Sequence, residues 1–508
     1  MQRRPHLRPL PRPRRARAGA IGLAGAVASL AGSSPVHAAP IVQAPALLSA
    51  HAQPISSRDR VYTADQTSNT VSVIDPSTNR VLGTKALGQP RLDQVLGPLD
   101  RSQVNVHGLG FSPNGRLLDV ISITSGAAQL VRTADNRLAR ATSYVGRAPH
   151  EGFVSRDGRT LWVAVRGESH VSVLSVRTGR LLARIPTADG PSKVVFSPGG
   201  RLAYVNHVRA SEVTVIRVRD RRVIHRIRGV APRSSDEAIS PDGRELWLGH
   251  PFDGKTSVVD ARRFRTMAVL STGPRTNHPN FVSKPDGLYA YVTVGGLNQT
   301  LVYRRGGAHP RLVKRIHNSG TAPHGIWPSP DNSRIYIALQ KSDGVDVIDT
   351  ATDTIIATLH VGQDPQALVY VAGAVPHGDG RSGLGRQGLH HRVQTFDVPI
   401  RGAVGAATVT VRAGDGLDLL DFAARGLPPR GDFTAYGVRA DGSAAPLRQI
   451  KADGSGGVDE ALVFTDFFGT YRRVALLPRS AQTPAQTVRA WVLAVRGWLC
   501  RLDGQHLP

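Results

Sequence analysis

The segment HGLGFSPNGRLLDVIS, residues 107–122, predicts two short β-strands joined by a Ser-Pro-Asn-Gly turn. Apolar residues lie on both sides of the turn, and Pro and Gly supply the backbone angles that a tight turn needs. Turns of this kind recur along the chain and begin at residues 112, 155, 197, 240, 284 and 329. Their spacings are 43, 42, 43, 44 and 45 residues. A sustained period near 43, with about four short strands per unit, is typical of β-propeller blades.

The two ends of this repeat complement each other. A seventh copy of the first strand is QALVYV, residues 366–371, and no further strands of that unit follow it. The three missing strands match residues 60–88, which have no first strand before them. Pairing the last strand with the first three would cover edges that an open array leaves exposed. The sequence therefore predicts an all-β, seven-bladed propeller over residues 60–373, closed by its own amino- and carboxy-terminal strands.

Three segments carry a resemblance to a known family. VYTADQTSNTVSVIDPSTNRVLGT at 61–84, AYVNH at 203–207 and AYVTVGG at 290–296 resemble the YVTN-repeat, surface-layer type β-propellers of exported bacterial proteins. The resemblance covers roughly the whole repeat region. It implies the propeller fold, whereas relatives of this fold bind haem, bind copper, cleave lactones or serve as surface-layer and binding proteins. Function must therefore be argued from individual residues.

The first 39 residues have the order of a secretory signal. They contain seven Arg and no acidic residue, followed by an Ala- and Gly-rich apolar run at 18–32 and the segment SPVHAAP. We predict a cleaved signal peptide over 1–39, a disordered segment over 40–59 and a periplasmic or secreted protein. The apolar run is shorter than the roughly 20 residues that span a bilayer, so no transmembrane anchor is expected.

Beyond the repeat, the composition changes. Residues 374–392 are predicted to form a Gly-rich linker, and the alternating runs and Asp-Gly turns of 393–478 predict a small β-sandwich. The tail at 479–508 contains a short amphipathic helix, whose apolar positions are Val488, Trp491, Val492, Val495, Trp498 and Leu499.

Charge and cysteine content restrict the partners. The formal net charge is +26, and removing the seven Arg of the signal leaves +19, which favours anionic envelope components as partners. The Arg residues are scattered through the strands, so nucleic acid is not expected as a partner. The single cysteine, Cys500, excludes an intrachain disulfide, and without a Cys-x-x-Cys-His motif the chain cannot hold a covalent c-type haem. Met267 is the only internal methionine, so a metal site here would use nitrogen and oxygen ligands.

A histidine recurs at a fixed distance from the repeated turn. Counting five residues back from each turn gives His107, His150, Ser192, Ser235, His278, His324 and Gln366, with the count in one unit taken from Ser283. In a closed ring the four histidines fall on one arc at the mouth of the central channel. Converging imidazoles suit copper or zinc, so we predict a metal site at His107, His150, His278 and His324. The alternative is that these side chains hydrogen-bond neighbouring blades, as Ser192 and Ser235 would.

Other polar residues are expected at the same mouth. Gln366 completes the arc, and loops on that face supply Arg166, Glu168, Lys255 and Asn298 as ligand-binding candidates. Glu151 follows His150 directly, and strict strand alternation would turn its side chain away.

Three functions are compatible with this pattern. The first is an exported propeller that binds a small ligand, with copper or zinc as candidate, at the mouth of the channel. The second is a non-catalytic recognition or surface-layer type protein that uses its basic face. The third is a lactonase- or lyase-like enzyme, in which His with Glu151 or Glu168 performs acid–base chemistry. The pattern does not distinguish an enzyme from a binding protein.

Overall fold

The computed structural model describes residues 53–88, 103–389, 392–398, 406–413 and 417–479. The predicted signal peptide and the predicted tail helix lie outside the described residues. Of the segment predicted as disordered, residues 53–59 are described. At its end the buried Asp59 accepts hydrogen bonds from the Tyr370 hydroxyl and the Gly373 amide, each at 2.7 Å. No helix among the described residues is long and apolar enough to cross a membrane.

The repeat region consists almost entirely of short β-strands. In chain order they are β1 (Arg60–Asp65), β2 (Thr70–Asp75), β3 (Arg80–Ala86), β4 (Val106–Phe111), β5 (Leu117–Ser122), β6 (Ala127–Arg132), β7 (Ser143–Tyr144), β8 (Pro149–Val154), β9 (Thr160–Val165), β10 (His170–Ser175), β11 (Leu181–Pro186), β12 (Pro191–Phe196), β13 (Leu202–His207), β14 (Glu212–Arg217), β15 (Arg222–Arg228), β16 (Asp236–Ile239), β17 (Glu245–His250), β18 (Lys255–Asp260), β19 (Arg265–Ser271), β20 (Thr276–Lys284), β21 (Gly287–Val294), β22 (Gln299–Arg304), β23 (Arg311–His317), β24 (Pro323–Pro328), β25 (Arg334–Leu339), β26 (Gly344–Asp349), β27 (Thr354–His360) and β28 (Pro365–Val371).

These strands form four-stranded antiparallel sheets. In the described residues, six sheets use consecutive strands, namely β4–β7, β8–β11, β12–β15, β16–β19, β20–β23 and β24–β27, and a further sheet has the order β28-β1-β2-β3. The first strands of neighbouring sheets contact each other, and β28 contacts both β24 and β4. Repeated four-stranded antiparallel sheets packed through their first strands are the architecture of a β-propeller, which confirms the predicted fold at this level.

The core lies between neighbouring sheets. Aromatic side chains from adjacent sheets meet edge to face: Trp162 against Phe196 with ring centroids 5.5 Å apart, and Trp247 against Phe281 at 6.1 Å. The first strands are buried along nearly their whole length, whereas the fourth strands are mostly exposed. This gradient places the first strands, and any site they build, in a water-poor environment.

A β-bulge recurs at the beginning of the first strands. In β8, Pro149 pairs with Val165 and Gly152 pairs with Val163, so that two residues, His150 and Glu151, face a single residue of β9. The same shift in register occurs in β12, β20, β24 and β28, and a one-residue version occurs in β4. A bulge bends the strand and interrupts the alternation of side chains. Consecutive residues can therefore face the same space.

A second group of strands forms the carboxy-terminal region. It contains β29 (Val393–Val398), β30 (Ala406–Arg412), β31 (Asp418–Arg425), β32 (Asp432–Val438), β33 (Ala444–Lys451), β34 (Val458–Thr465), the single-turn helix α1 (Phe467–Thr470) and β35 (Arg473–Pro478). One sheet has the order β29-β30-β31-β34 and the other β33-β32-β35. Side chains of both sheets share one core, which includes Val409, Phe422, Phe433 and Leu476.

The segment predicted as a linker packs on the propeller. Thr84 and Gly385 exchange two backbone hydrogen bonds at 2.9 and 2.8 Å, and the amide of Asn136 donates to the Gly380 carbonyl at 2.8 Å. Further along, the Arg412 guanidinium donates to the Asp343 carboxylate at 2.8 Å and to the Gln340 carbonyl at 2.9 Å. Arg412 and Asp343 are both buried. A buried ion pair thus joins β30 to the loop between β25 and β26.

We predict that Arg412→Ala lowers the free energy of unfolding by about 3 to 5 kcal/mol, because the Asp343 charge would stay buried without its partner. Urea unfolding followed by tryptophan fluorescence measures this change. Arg479→Ala, which removes an exposed side chain just after β35, is the matched control and should change stability by less than about 0.5 kcal/mol. A loss below 1 kcal/mol for Arg412→Ala would contradict the docking role of this pair.

Candidate functional site

The bulge defines two rows of side chains along the first strands. The first row contains the first of the two residues at each full bulge, the single extra residue of β4 and the residue directly before β16: His150, Ser192, Asn277, His324 and Gln366 at the bulges, His107 in β4, and Ser235. The second row comprises the residues that follow them: Gly108, Glu151, Lys193, Asp236, His278, Gly325 and Ala367.

The first row holds three of the four predicted histidines. The rings of His107 and His150 lie with their centroids 4.2 Å apart. The Nδ1 atom of His150 donates to the Ser192 carbonyl at 3.1 Å, and Nδ1 of His324 donates to the Gln366 carbonyl at 3.1 Å. Because a carbonyl only accepts, these bonds place the proton on Nδ1 and leave Nε2 with its lone pair. Carbonyl-anchored imidazoles of this kind are the form that binds metal ions.

His278 does not occupy the position predicted for it. Thr276 pairs with Val294 and Pro279 with Val292, so Asn277 is the counterpart of His150 and His278 the counterpart of Glu151. The cause is one extra pair in the strand: four pairs, Pro279–Val292 to Val282–Tyr289, separate the bulge of β20 from its turn, whereas three separate them in β8. His278 nevertheless reaches the same space, where its ring centroid lies 4.5 Å from that of His324.

The second row contains a buried cluster of charged groups. The ammonium group of Lys193 lies 3.0 Å from the Glu151 carboxylate and 2.7 Å from the Asp236 carboxylate. Asp236 is also 3.2 Å from Nδ1 of His278. The expectation that Glu151 turns away from His150 is wrong, because the bulge suspends alternation at these two residues.

Burial controls the protonation of these groups. It lowers the pKa of His107, His150 and His278 well below the usual value, and it lowers that of His324 to about 4. All four imidazoles are therefore neutral at pH 7. Burial would also lower the pKa of Lys193, but Asp236 and Glu151 outweigh it and raise that pKa, so the ammonium stays charged. Burial raises the pKa of Asp236, and the neighbouring Glu151 acts in the same direction.

Two overlapping sets of side chains have the spacing of metal ligands. One is His107, His150 and Glu151, and the other is Glu151, Asp236 and His278; within each set the candidate ligand atoms lie within 4.8 Å of one another. In the described part of the chain, Oε1 of Glu151, Oδ1 of Asp236 and Nδ1 of His107 are buried without a hydrogen-bond partner. Buried polar atoms without partners cost free energy unless something else satisfies them.

A small cavity of about 40 Å³ lies beside the second row. Phe153 and Trp327, whose centroids are 6.0 Å apart, form part of its apolar wall. Its polar lining includes Glu151, Lys193, Glu237 and His278. Both carboxyl oxygens of Glu237 lack a hydrogen-bond partner among the described residues, and burial raises its pKa well above the usual value. The volume holds a few water molecules, an ion or a small ligand, and not a large cofactor.

Of the additional residues predicted to bind a ligand, two lie at the first row and three lie elsewhere. Arg166 donates to the hydroxyl of Ser192 in the first row, and burial lowers the pKa of Arg166 to about 10. Gln366 belongs to the first row itself, and its side chain donates to Asp364 at 3.1 Å.

Of the other three, two belong to loops and Lys255 belongs to a strand. Glu168 accepts from the Arg147 amide at 2.7 Å and lies 3.5 Å from His170. Lys255 begins β18 opposite His250, and Asn298 accepts from the Ala322 amide at 2.9 Å. These contacts assign Glu168 and Asn298 to loop structure, and no described contact joins Lys255 to the four predicted site histidines.

Lys193, Asp236 and Glu237 were not predicted from the sequence. The signal was present in the repeat, because the residue after each counted position is ionisable in three successive units: Glu151, Lys193 and Asp236. The bulges of β8 and β12, and the contacts of Lys193 with Glu151 and Asp236, show that this second position faces the same space.

The fold and the site define a β-propeller with a buried, ionisable set of histidines, carboxylates and one lysine between its first strands. No protein-family model matches the chain, so the YVTN resemblance stays a prediction. Among curated proteins, the chain is similar to Protein NirF of Pseudomonas aeruginosa, with 26% identity over 278 residues, covering 51% of this chain. The match spans 66% of that protein's length.

Solved structures resemble the chain at the level of the fold. A functionally unknown protein from Desulfotomaculum acetoxidans aligns with a TM-score of 0.51 and 11% identity, covering 61% of this chain and 98% of that one. The periplasmic gluconolactonase PpgL of Pseudomonas aeruginosa aligns with a TM-score of 0.47 and 21% identity, covering 62% and 99%.

We predict that acid destabilises the metal-free protein through the buried histidines. The unfolded chain takes up these protons near pH 6.5, whereas the folded chain resists them, so stability falls as the pH drops from 6.5 to 5. His150→Asn keeps a donor for the Ser192 carbonyl and should reduce this fall by at most about 2 kcal/mol. Urea unfolding at both pH values measures it.

The matched control is His317→Asn, which replaces an exposed histidine on β23. This variant should show the same acid-induced loss as the wild type. An equal loss in His150→Asn and wild type would contradict the neutral state assigned to His150.

Proposed function

We propose that this chain is an exported, YVTN-type propeller in which the seven sheets form one ring, closed by the pairing of β28 with β1. At the mouth of the channel, the ring binds a small ligand around a divalent transition metal ion. The contacts between successive first strands, and the antiparallel register of β28 with β1, support the ring. The order of residues 1–39 supports export.

One observation carries the proposal for the site: candidate ligand atoms of His107, His150 and Glu151 lie within 4.8 Å of one another, and the Glu151 carboxylate has a buried oxygen without a partner among the described residues. His150 and His324 present Nε2 lone pairs, and Oε1 of Glu151 is buried beside His107 and His150. A divalent ion would satisfy such an oxygen and would bind neutral imidazoles without displacing protons. Nitrogen and oxygen donors suit Zn(II) and Cu(II).

The surrounding charge favours an anionic ligand on the ion. Arg166 and Lys193 both lie near the histidines, and each contributes to lowering the pKa of His107. With a divalent ion added, positive charge exceeds the negative charge of the nearby carboxylates. A carboxylate- or phosphate-bearing small molecule would meet attractive electrostatics here.

We predict that metal-free protein takes up about one equivalent of Zn(II) or Cu(II) per chain, and that the double variant His107→Asn/His150→Asn takes up none. Each substitution removes an imidazole and keeps a polar side chain. Equilibrium dialysis followed by elemental analysis measures the stoichiometry. His317→Asn on β23 should bind like the wild type. Unchanged uptake in the double variant would reject a metal site at the mouth.

A second function, acid–base catalysis on a small lactone or ester, is favoured by Glu237. Burial raises the pKa of Glu237, so at neutral pH its carboxyl group carries a proton that it can donate. It faces the same cavity as His278, whose imidazole is neutral and able to accept a proton. A donor and an acceptor on one small cavity are the minimum for hydrolytic chemistry.

For this second function we predict hydrolysis of δ-valerolactone that persists in a chelator and falls by about 10²- to 10⁴-fold in Glu237→Gln. Proton release followed with an indicator dye measures the rate. Glu212→Gln, on β14, should leave the rate unchanged. If the wild-type protein hydrolyses the lactone no faster than buffer alone, the proposed catalytic function is rejected. The proposed metal site is unaffected by that result.

A further inference from the structure

We propose that His107, His150 and Glu151 together hold a single metal ion, and that the Lys193 ammonium group takes the place of a second ion beside it. This inference rests on the proposed function and specifies its ligands. It separates a three-residue site from the four-histidine site that the sequence predicts. It also gives Lys193 a role, because the lysine determines how many ions the channel holds.

The two candidate ligand sets share one residue. Glu151 belongs both to the set with His107 and His150 and to the set with Asp236 and His278. A carboxylate has two oxygens, so it could bridge two metal ions, one in each set. The contacts of its two oxygens decide whether both positions are available.

The oxygens of Glu151 have different surroundings. Oε2 lies 3.0 Å from the ammonium of Lys193, whereas Oε1 is buried without a hydrogen-bond partner in the described part of the chain. His107 likewise has a buried Nδ1 without a partner. The set with His107 and His150 therefore contains ligand atoms that no protein group has satisfied.

The second set is already occupied by a cation. Lys193 contacts Glu151 and Asp236 at 3.0 and 2.7 Å, and Asp236 is 3.2 Å from Nδ1 of His278. An ion bound by these three residues would sit next to a buried ammonium group. Two cations in contact at low dielectric repel strongly, so the lysine excludes the ion.

The remaining set, His107, His150 and Glu151, offers donor atoms of the kinds that bind transition metal ions. Two histidines and one carboxylate form three protein ligands, which leave at least one coordination position open for water or a ligand. Anchoring of His150 through Nδ1 to the Ser192 carbonyl is the outer support that such ligands require. Arg166, which donates to the Ser192 hydroxyl beside His150, would be available to pair with an anionic ligand of the ion.

Zinc titration of metal-free protein tests the ligand set. Glu151→Gln, which keeps the volume and removes the charge, should weaken zinc binding by at least about 100-fold, since losing even an outer support costs 10- to 100-fold. His278→Asn, matched to it in the second row, should weaken binding by less than tenfold. Isothermal titration calorimetry with competing chelators measures both affinities.

Replacement of Lys193 tests how many zinc ions each chain binds. Lys193→Met removes the ammonium and keeps a side chain of similar length, so zinc stoichiometry should rise from one to two per chain. The double variant Lys193→Met/Asp236→Asn loses a ligand of the second set and should return to one. Elemental analysis after gel filtration gives both numbers.

The outcomes are distinct. Wild-type protein that binds no zinc overturns this inference and the proposed metal function together. Zinc binding that is equally weakened by Glu151→Gln and His278→Asn overturns the three-residue site and leaves a metal at the mouth. Lys193→Met that folds and still binds one zinc overturns the role of the lysine. If that variant does not fold, the comparison of Glu151→Gln with His278→Asn decides the ligand set alone.

Discussion

The site depends on one constraint of backbone register: two residues of a first strand face one residue of the next strand. At β8 this places His150 and Glu151 on the same side, although ordinary strand alternation would separate them. Since the same shift recurs in other sheets, it produces two rows of side chains in place of one. The first row supplies anchored imidazoles, and the second supplies carboxylates and a lysine.

Burial away from water determines the protonation states of the side chains in the second row. A single ammonium, Lys193, stands between two carboxylates, and the adjacent Glu237 is held in its protonated form by burial. The histidines stay neutral for the same reason. The region is thus a set of proton donors, proton acceptors and potential metal ligands whose states are set by desolvation, with Lys193 determining where a further cation can be accommodated.

The carboxy-terminal strands are connected to this region through hydrogen bonds. Arg412 of β30 pairs with Asp343, which accepts from the Asp364 amide at 2.8 Å; Asp364 in turn accepts from the Gln366 side chain. The carbonyl of Gln366 anchors His324. The carboxy-terminal region is therefore joined by hydrogen bonds to the loops that hold the first row. A shift of this region would be transmitted to His324 through these bonds.

The periodic turns were enough to predict an all-β propeller and to place His107, His150 and His324 at equivalent positions, because turn chemistry and spacing are local properties of the chain. Tertiary structure decided the rest. His278 lies one position away from its predicted place because the distance of a bulge from the turn depends on how β20 pairs with β21. Glu151 entered the site because a bulge is a relation between two strands and leaves no mark in either strand alone. Ionisable residues recur at the positions of Lys193 and Asp236, but only the packing of neighbouring first strands brings these side chains into contact, and the burial that sets the protonation of Glu237 depends on the same packing among distant segments.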